Sequence, residues 1–276
     1  MLIPVQSPYD WPSILAFFTL RAIPGVECAS ADRYERSIVM NGEVGRLAVG
    51  PATGGLEVTS SLPGVIDRVS RMFDTEHDPA RLAKHFANDE VMLPLVTERP
   101  GLRIPNAWDG FELAVRAVLG QQITVIQAAK LAGKLVTRYG RRIADTGLVT
   151  HLFPEPAALI DQDIAALGMP GSRGETIRNV ARAALADPTI FAPGGTAERL
   201  RGMRGIGDWT AQYIAMRALG DRDAFPASDV GLLRAMAGKD RVRPTPKALL
   251  ARAELWRPYR AYAAQHLWAA DAVTMG

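Results

Sequence analysis

The chain has 276 residues, 48% of them hydrophobic and 22% charged, which implies about two domains with real cores and excludes extensive disorder. No apolar run approaches the roughly 18 residues of a membrane span, and the start MLIPVQSPYDW lacks the basic-then-apolar order of a secretory signal, so a soluble, cytoplasmic protein is expected. The net charge of +3 is uneven: residues 1–100 hold 9 basic and 13 acidic side chains, residues 101–276 hold 23 and 16, and the basic part suits a polyanion or an ordinary solvated helical surface.

Residues 11–21 carry an apolar helical pattern. Residues 37–40 and 46–49 read as strands around Asn41-Gly42, a preferred type I′ corner because both positions tolerate positive φ. The run 50–55 reads as a flexible link to a third strand, 56–62, and helix returns over about 63–73. From about residue 78 the pattern is helical. Over 111–119 the apolar side chains share one face, with Glu112 and Arg116 four apart on the other. Thr124 and Gln127 have capping-box spacing for a helix reaching Tyr139. Further helical stretches fall at 175–185, 198–200, 210–219, 229–236 and 259–270.

Most catalytic templates are missing. No P-loop and no G-x-S-x-G elbow occurs, and His77, His85, His151 and His266 have neither helical pair spacing nor cysteine partners. His266, amid apolar residues, reads as a packed side chain. Cys28 alone can form no internal disulfide and cannot supply the four thiolates of an iron–sulfur cluster. One constellation stands out. LRGMRGIGDWTAQY at 200–213 places a helix, a tight turn with Gly205 and Gly207, and a second helix in sequence. Paired glycines permit positive φ and close approach of a phosphate to the helix N-terminus, though a plain helical hairpin fits the turn equally well. FPASDVGLLR follows at 225–234, with Asp229 at a helix start where Ser228 can cap it.

With that continuation the chain resembles the helix-hairpin-helix DNA glycosylases, in particular the 3-methyladenine DNA glycosylase II (AlkA) branch. The likeness is carried by YDW at 9–11, RAIPGVE from Arg21, GLRIP from Gly101, VRAVLGQQ from Val115, ALGMP from Ala166, GIGDWTAQY from Gly205 and WRPYRAYAAQHLW from Trp256, in the family order. It implies an α+β fold: a small N-terminal antiparallel sheet with flanking helices (1–78), then a mainly α-helical core of two helical subdomains. One of these, 79–103 plus 222–276, would carry the catalytic Asp, and the other, 104–221, the hairpin.

The resemblance implies a monofunctional glycosylase that flips alkylated purines, 3-methyladenine and 7-methylguanine among them, from double-stranded DNA and hydrolyses the N-glycosidic bond. Asp229 would be its catalytic carboxylate, stabilising positive charge on the sugar. Trp209, Tyr213, Trp268 and Phe17 would form a π-rich pocket suited to an electron-poor base, with Arg21 at its edge. Gly205, Ile206, Gly207, Thr210, Gln121 and Gln122 would contact DNA. Gln122 matches the family's wedge position, which is apolar in the best-known branch; a helix break without function is the alternative. The backbone carbonyls of Arg201, Met203 and Gly205 would hold a structural Na or K ion, and the chemistry would need no cofactor. Bifunctional members carry a Lys at the position of Trp209. A monomer is expected, cytoplasmic and nucleoid-associated, or nuclear in a eukaryote. Two other readings are a non-catalytic hairpin module that only binds DNA and an oxidised-purine glycosylase/lyase.

Overall fold

The computed structural model describes residues 1–144, 146–237 and 241–275, the side chains of 273–275 excepted. The N-terminal part comprises β1 (Leu2–Pro4), α1 (Trp11–Arg21), β2 (Glu27–Ala29), β3 (Tyr34–Met40), β4 (Glu43–Ala52), β5 (Gly55–Ser60) and α2 (Ile66–Met72). The five strands form one antiparallel sheet in the order β1-β5-β4-β3-β2. Asn41 (φ 52) and Gly42 (φ 83) close β3 onto β4 through the expected two-residue corner. The 50–55 run is no flexible link. Gly50 and Ala52 pair with Glu57 and Gly55, so β4 continues to a Thr53-Gly54 turn with Gly54 at φ 82. Gly55 is required for a steric reason: a Cβ there would lie 2.0 Å from the carbonyl oxygen of Ile3 on β1. Alternate side chains of the sheet, Ile38, Leu47, Val49, Leu56 and Val58, bury against Ile14, Leu15 and Phe18 of α1 and Val69 of α2.

The helical part runs α3 (Pro79–His85), α4 (Met92–Glu98), α5 (Gly110–Leu119), α6 (Val125–Tyr139), α7 (Gly171–Ala186), α8 (Ala197–Arg201), α9 (Asp208–Ile214), α10 (Val230–Ala235), α11 (Pro246–Ala253) and α12 (Arg260–Met275). Both capping-box hydrogen bonds of Thr124 and Gln127 form, at 3.2 Å each, and start α6. α9 widens into a π turn, Ala215–Leu219, stopped by Gly220 at φ 73. No helix among the described residues is long and apolar enough to cross a membrane.

α5 departs from its expected amphipathic form. Glu112 is buried and accepts from Arg36 of β3 at 2.6 Å, while Arg116 pairs with Glu112 at 3.0 Å and with Glu27 of β2 at 2.5 Å. The sheet lies across the polar face of α5, so a pair that reads as solvated becomes a buried ion network. Burial works against the charge on Glu112, but Arg36 and Arg116 lower its pKa nonetheless. Removing one partner of such a network costs about 3–5 kcal/mol, because a charge is left uncompensated.

Candidate active site and nucleic-acid interface

α10 is capped by Asp229 itself, while Ser228, the expected cap, is exposed. With Asp229 at φ −66 and ψ 127, its Oδ1 accepts from the backbone N–H of Gly231 (2.9 Å) and Leu232 (3.1 Å). The same oxygen accepts from Trp268 Nε1 at 2.8 Å, and Oδ2 accepts from Trp209 Nε1 at 2.8 Å. Four N–H donors from α9, α10 and α12 thus fix one carboxylate. Oδ2 retains a lone pair beyond its single bond. Gly231 is crowded: a Cβ there would meet Asp229 Oδ1 and Trp268 Cδ1 at 3.1 Å. Arg234 locks α10 to α12 by a bidentate pair with Asp271 (2.9 and 2.6 Å).

The aromatic side chains predicted for a pocket come together around this carboxylate. Trp209 stacks on Tyr213 with ring centroids 5.2 Å apart and an 11° interplanar angle, and Trp268 lies edge-on to Tyr213 at 6.5 Å. Phe17 of α1 joins through Arg217, whose guanidinium lies 4.5 Å from the Phe17 centroid and 5.4 Å from those of Tyr213 and Trp268. Arg21 lies 3.9 Å over Phe17. Burial raises the pKa of the Tyr213 phenol, but Arg217 and Arg21 outweigh it and bring it below the ordinary 10. Sequence reasoning passed over Arg217. Its only signal there is the 209, 213, 217 spacing, which places it on the helical face of Trp209 and Tyr213.

In the hairpin, Gly205 takes φ 94, and a Cβ there would fall 2.0 Å from Thr176 Oγ1 on α7. Gly207, at φ −82, has an ordinary backbone and open space around it. The expected positive φ therefore applies to Gly205 alone. Ile206 is buried and anchors the turn. Thr210 is also buried, and its Oγ1 accepts from Gln121 Nε2 at 3.1 Å. Gln121 Nε2 also donates to Gly205 O (3.2 Å), so this pair braces the α5–α6 loop against the hairpin. Gln122, beside it, is exposed and left-handed at φ 59. Met203 O accepts from Ile206 N at 3.0 Å.

Among the described residues no cluster of three or more His, Cys, Asp or Glu side chains is arranged to hold a metal ion. His266 is packed, as expected, and burial lowers its pKa to about 4. A cavity of about 700 Å³ opens between sheet and helices beside Trp108, Phe111, Phe191 and Arg222, and none of the pocket aromatics lines it.

Residues 1–109 match the AlkA N-terminal domain, and residues 115–261 match the HhH-GPD superfamily of base excision DNA repair proteins. The chain is 37% identical to a probable bifunctional transcriptional activator/DNA repair enzyme AlkA of Mycobacterium tuberculosis, over 96% of this chain and 56% of that protein. It therefore spans little more than half the length of that relative. It is 33% identical to DNA-3-methyladenine glycosylase 2 of Escherichia coli, over 95% of this chain and 94% of the relative. The fold is shared with a 3-methyladenine DNA-glycosylase from Archaeoglobus fulgidus, at a TM-score of 0.86 and 22% identity, with 99% of each chain covered.

Proposed function

The chain belongs to the HhH-GPD superfamily of base excision DNA repair proteins, and from that membership we propose that it is a monofunctional DNA glycosylase releasing alkylated purines from double-stranded DNA. The observation that carries this reading is the Asp229 carboxylate, held by Trp209 and Trp268 through their indole N–H groups at the edge of an aromatic cluster. As the C1′–N bond breaks, positive charge develops on the deoxyribose. A fixed carboxylate about 4 Å away is worth about 4 kcal/mol at an effective dielectric constant near 20. The free lone pair of Oδ2 can also orient the attacking water. A purine alkylated at N3 or N7 leaves as a neutral base, so no second carboxyl group is required as acid, unlike the two-carboxylate glycoside hydrolases. Trp209 and Tyr213 offer π faces to the cationic ring.

Several assignments belong to the same proposal. Gln122, exposed at the tip of a loop braced by Gln121 and Thr210, enters the stack when the base flips out. The hairpin grips a phosphate, with the open face of Gly207 letting it approach the backbone. The carbonyls of Arg201, Met203 and Gly205 suit a monovalent cation by donor chemistry, since all three are neutral oxygens. Those of Met203 and Gly205 each accept one hydrogen bond and keep a second lone pair. The helical part works as two subdomains, 79–103 with 222–276 and 104–221, so that Asp229 and Trp209, bonded to each other at 2.8 Å, come from different subdomains. The protein acts as a cytoplasmic monomer.

The test is base release from methylated duplex DNA with a borohydride-trapping control. Free 3-methyladenine and 7-methylguanine with no trapped protein–DNA adduct is the expected result, because position 209 offers an indole and no amine. A trapped adduct favours the lyase reading, and DNA binding without base release favours the binding module.

A further inference from the structure

We infer that Arg217 sets the electrostatics of the leaving group: a fixed positive charge behind the base pocket that draws the bonding electron pair onto the departing base. The inference rests on the glycosylase reading above. Arg217 is only 3% exposed, and its guanidinium touches three of the aromatic rings that would enclose the base. Nη1 donates to Pro105 O at 2.7 Å and Nη2 to Gln265 Oε1 at 2.9 Å, both neutral, while buried Nε has no partner; Tyr213 and the Asp229 carboxylate attract the charge and Arg21 repels it. Burial lowers its pKa to about 10, still far enough above neutrality to keep it charged. A buried cation held by neutral groups is costly to the fold. Here that cost places a charge against Phe17, Tyr213 and Trp268, within electrostatic range of Asp229.

Hydrolysis breaks the C1′–N bond heterolytically. Its electron pair goes to the base nitrogen, the sugar gains one positive charge, and water adds its oxygen to C1′ as its proton passes to solvent. The formal charge of the base falls by one whatever the lesion, from +1 to 0 for an N-alkylated purine and from 0 to −1 for a neutral purine such as hypoxanthine, before protonation. Arg217 on the base side and Asp229 on the sugar side favour the same electron movement. The consequences differ with substrate. For a cationic base, Arg217 repels the bound ground state and leaves the transition state nearly unaffected relative to free substrate. Binding is weaker and the bound step faster. For a neutral base, binding is indifferent to the charge and the transition state is stabilised.

Single-turnover excision and binding are measured on duplexes carrying one 7-methylguanine or one hypoxanthine, with wild type, Arg217→Lys, Arg217→Gln and Arg217→Met, each checked by thermal melting. Neutral variants should bind the 7-methylguanine duplex roughly tenfold tighter and cleave it roughly tenfold more slowly, nearly cancelling in the ratio of rate to binding constant. On hypoxanthine they should bind as wild type does and lose roughly tenfold or more in rate. Arg217→Lys should restore most of both. Equal rate losses on the two substrates with unchanged binding, or a Lys variant as impaired as Gln, would assign Arg217 a packing role and overturn the inference. Inhibition of the wild type by small purines needs no variant to fold: a neutral 9-methylpurine should compete better than its cationic 7,9-dimethyl counterpart, and the reverse order contradicts the inference. Failure of the wild type to release either base would instead overturn the glycosylase reading.

Discussion

Asp229 has two oxygens and four N–H donors, so its position is set by groups that have no freedom to follow a substrate. Two donors are backbone, and the two indoles are packed, one on Tyr213 and one edge-on to it. Preorganisation of this kind favours a carboxylate that acts on developing charge, since no reorganisation remains to be done during the reaction. Gln122 has the opposite character. Exposed and left-handed, it is presented outward while its neighbour Gln121 is tied down. Gln122→Ala should therefore reduce excision from duplex DNA by about tenfold more than from single strands, where little stacking needs replacing. Gln122→Leu should retain most duplex activity if filled volume is what matters. Equal losses on both substrates would return position 122 to a role in the fold or pocket.

At the scale of elements, the hairpin separates two glycines that look alike in sequence. Gly205 needs both its positive φ and its missing Cβ because α7 crosses it at Thr176, whereas Gly207 needs neither for folding. Gly205→Ala should destabilise the protein by about 1–3 kcal/mol, read in thermal or urea unfolding. Gly207→Val should leave stability within about 0.5 kcal/mol and weaken binding to any duplex, damaged or not. Loss confined to damaged DNA would make Gly207 part of the pocket instead. What could be read in advance follows the same line between local and distant causes. The Asn41-Gly42 corner and the Thr124–Gln127 box are complete within four residues, so sequence displays them. β1 and β2 are three-residue edge strands whose existence depends on partners elsewhere, and neither was foreseen. The burial of Glu112 depends on a sheet 70 and more residues away in the chain. The gathering of Trp209, Tyr213, Trp268 and Phe17 was legible only through family resemblance. Arg217 was not, because its neutral partners Pro105 and Gln265 come from other segments.

For the molecule as a whole, two buried histidines and one buried aspartate set the response to acid. Burial lowers the pKa of His77 to about 3 and of His266 to about 4, against an ordinary 6.5, so below pH 6.5 only the unfolded chain takes up those protons and stability falls. Burial raises Asp74 to about 6 against 3.8, so between those values the folded chain takes up that proton first and acid stabilises. Two histidines outweigh one aspartate, and the net loss from pH 7 to pH 5 is on the order of 2–3 kcal/mol. Denaturant midpoints across that range should fall accordingly, and a His77→Gln/His266→Gln double variant should show the opposite slope, left by Asp74. A wild-type midpoint independent of pH would show that these groups are solvated in solution. The buried ion network joins the sheet to α5, and Arg116 of that network also donates to Arg21 O at the end of α1. The central claim concerns the reaction that this frame supports, and Asp229→Asn tests it most directly. The amide keeps the shape of the side chain and removes the charge opposite the sugar. Single-turnover release of 7-methylguanine from duplex DNA should fall at least about 10³-fold, given about 4 kcal/mol of lost charge stabilisation, while affinity for abasic-site duplex stays within a few-fold of wild type. Near-normal release by a folded Asp229→Asn protein would contradict the account.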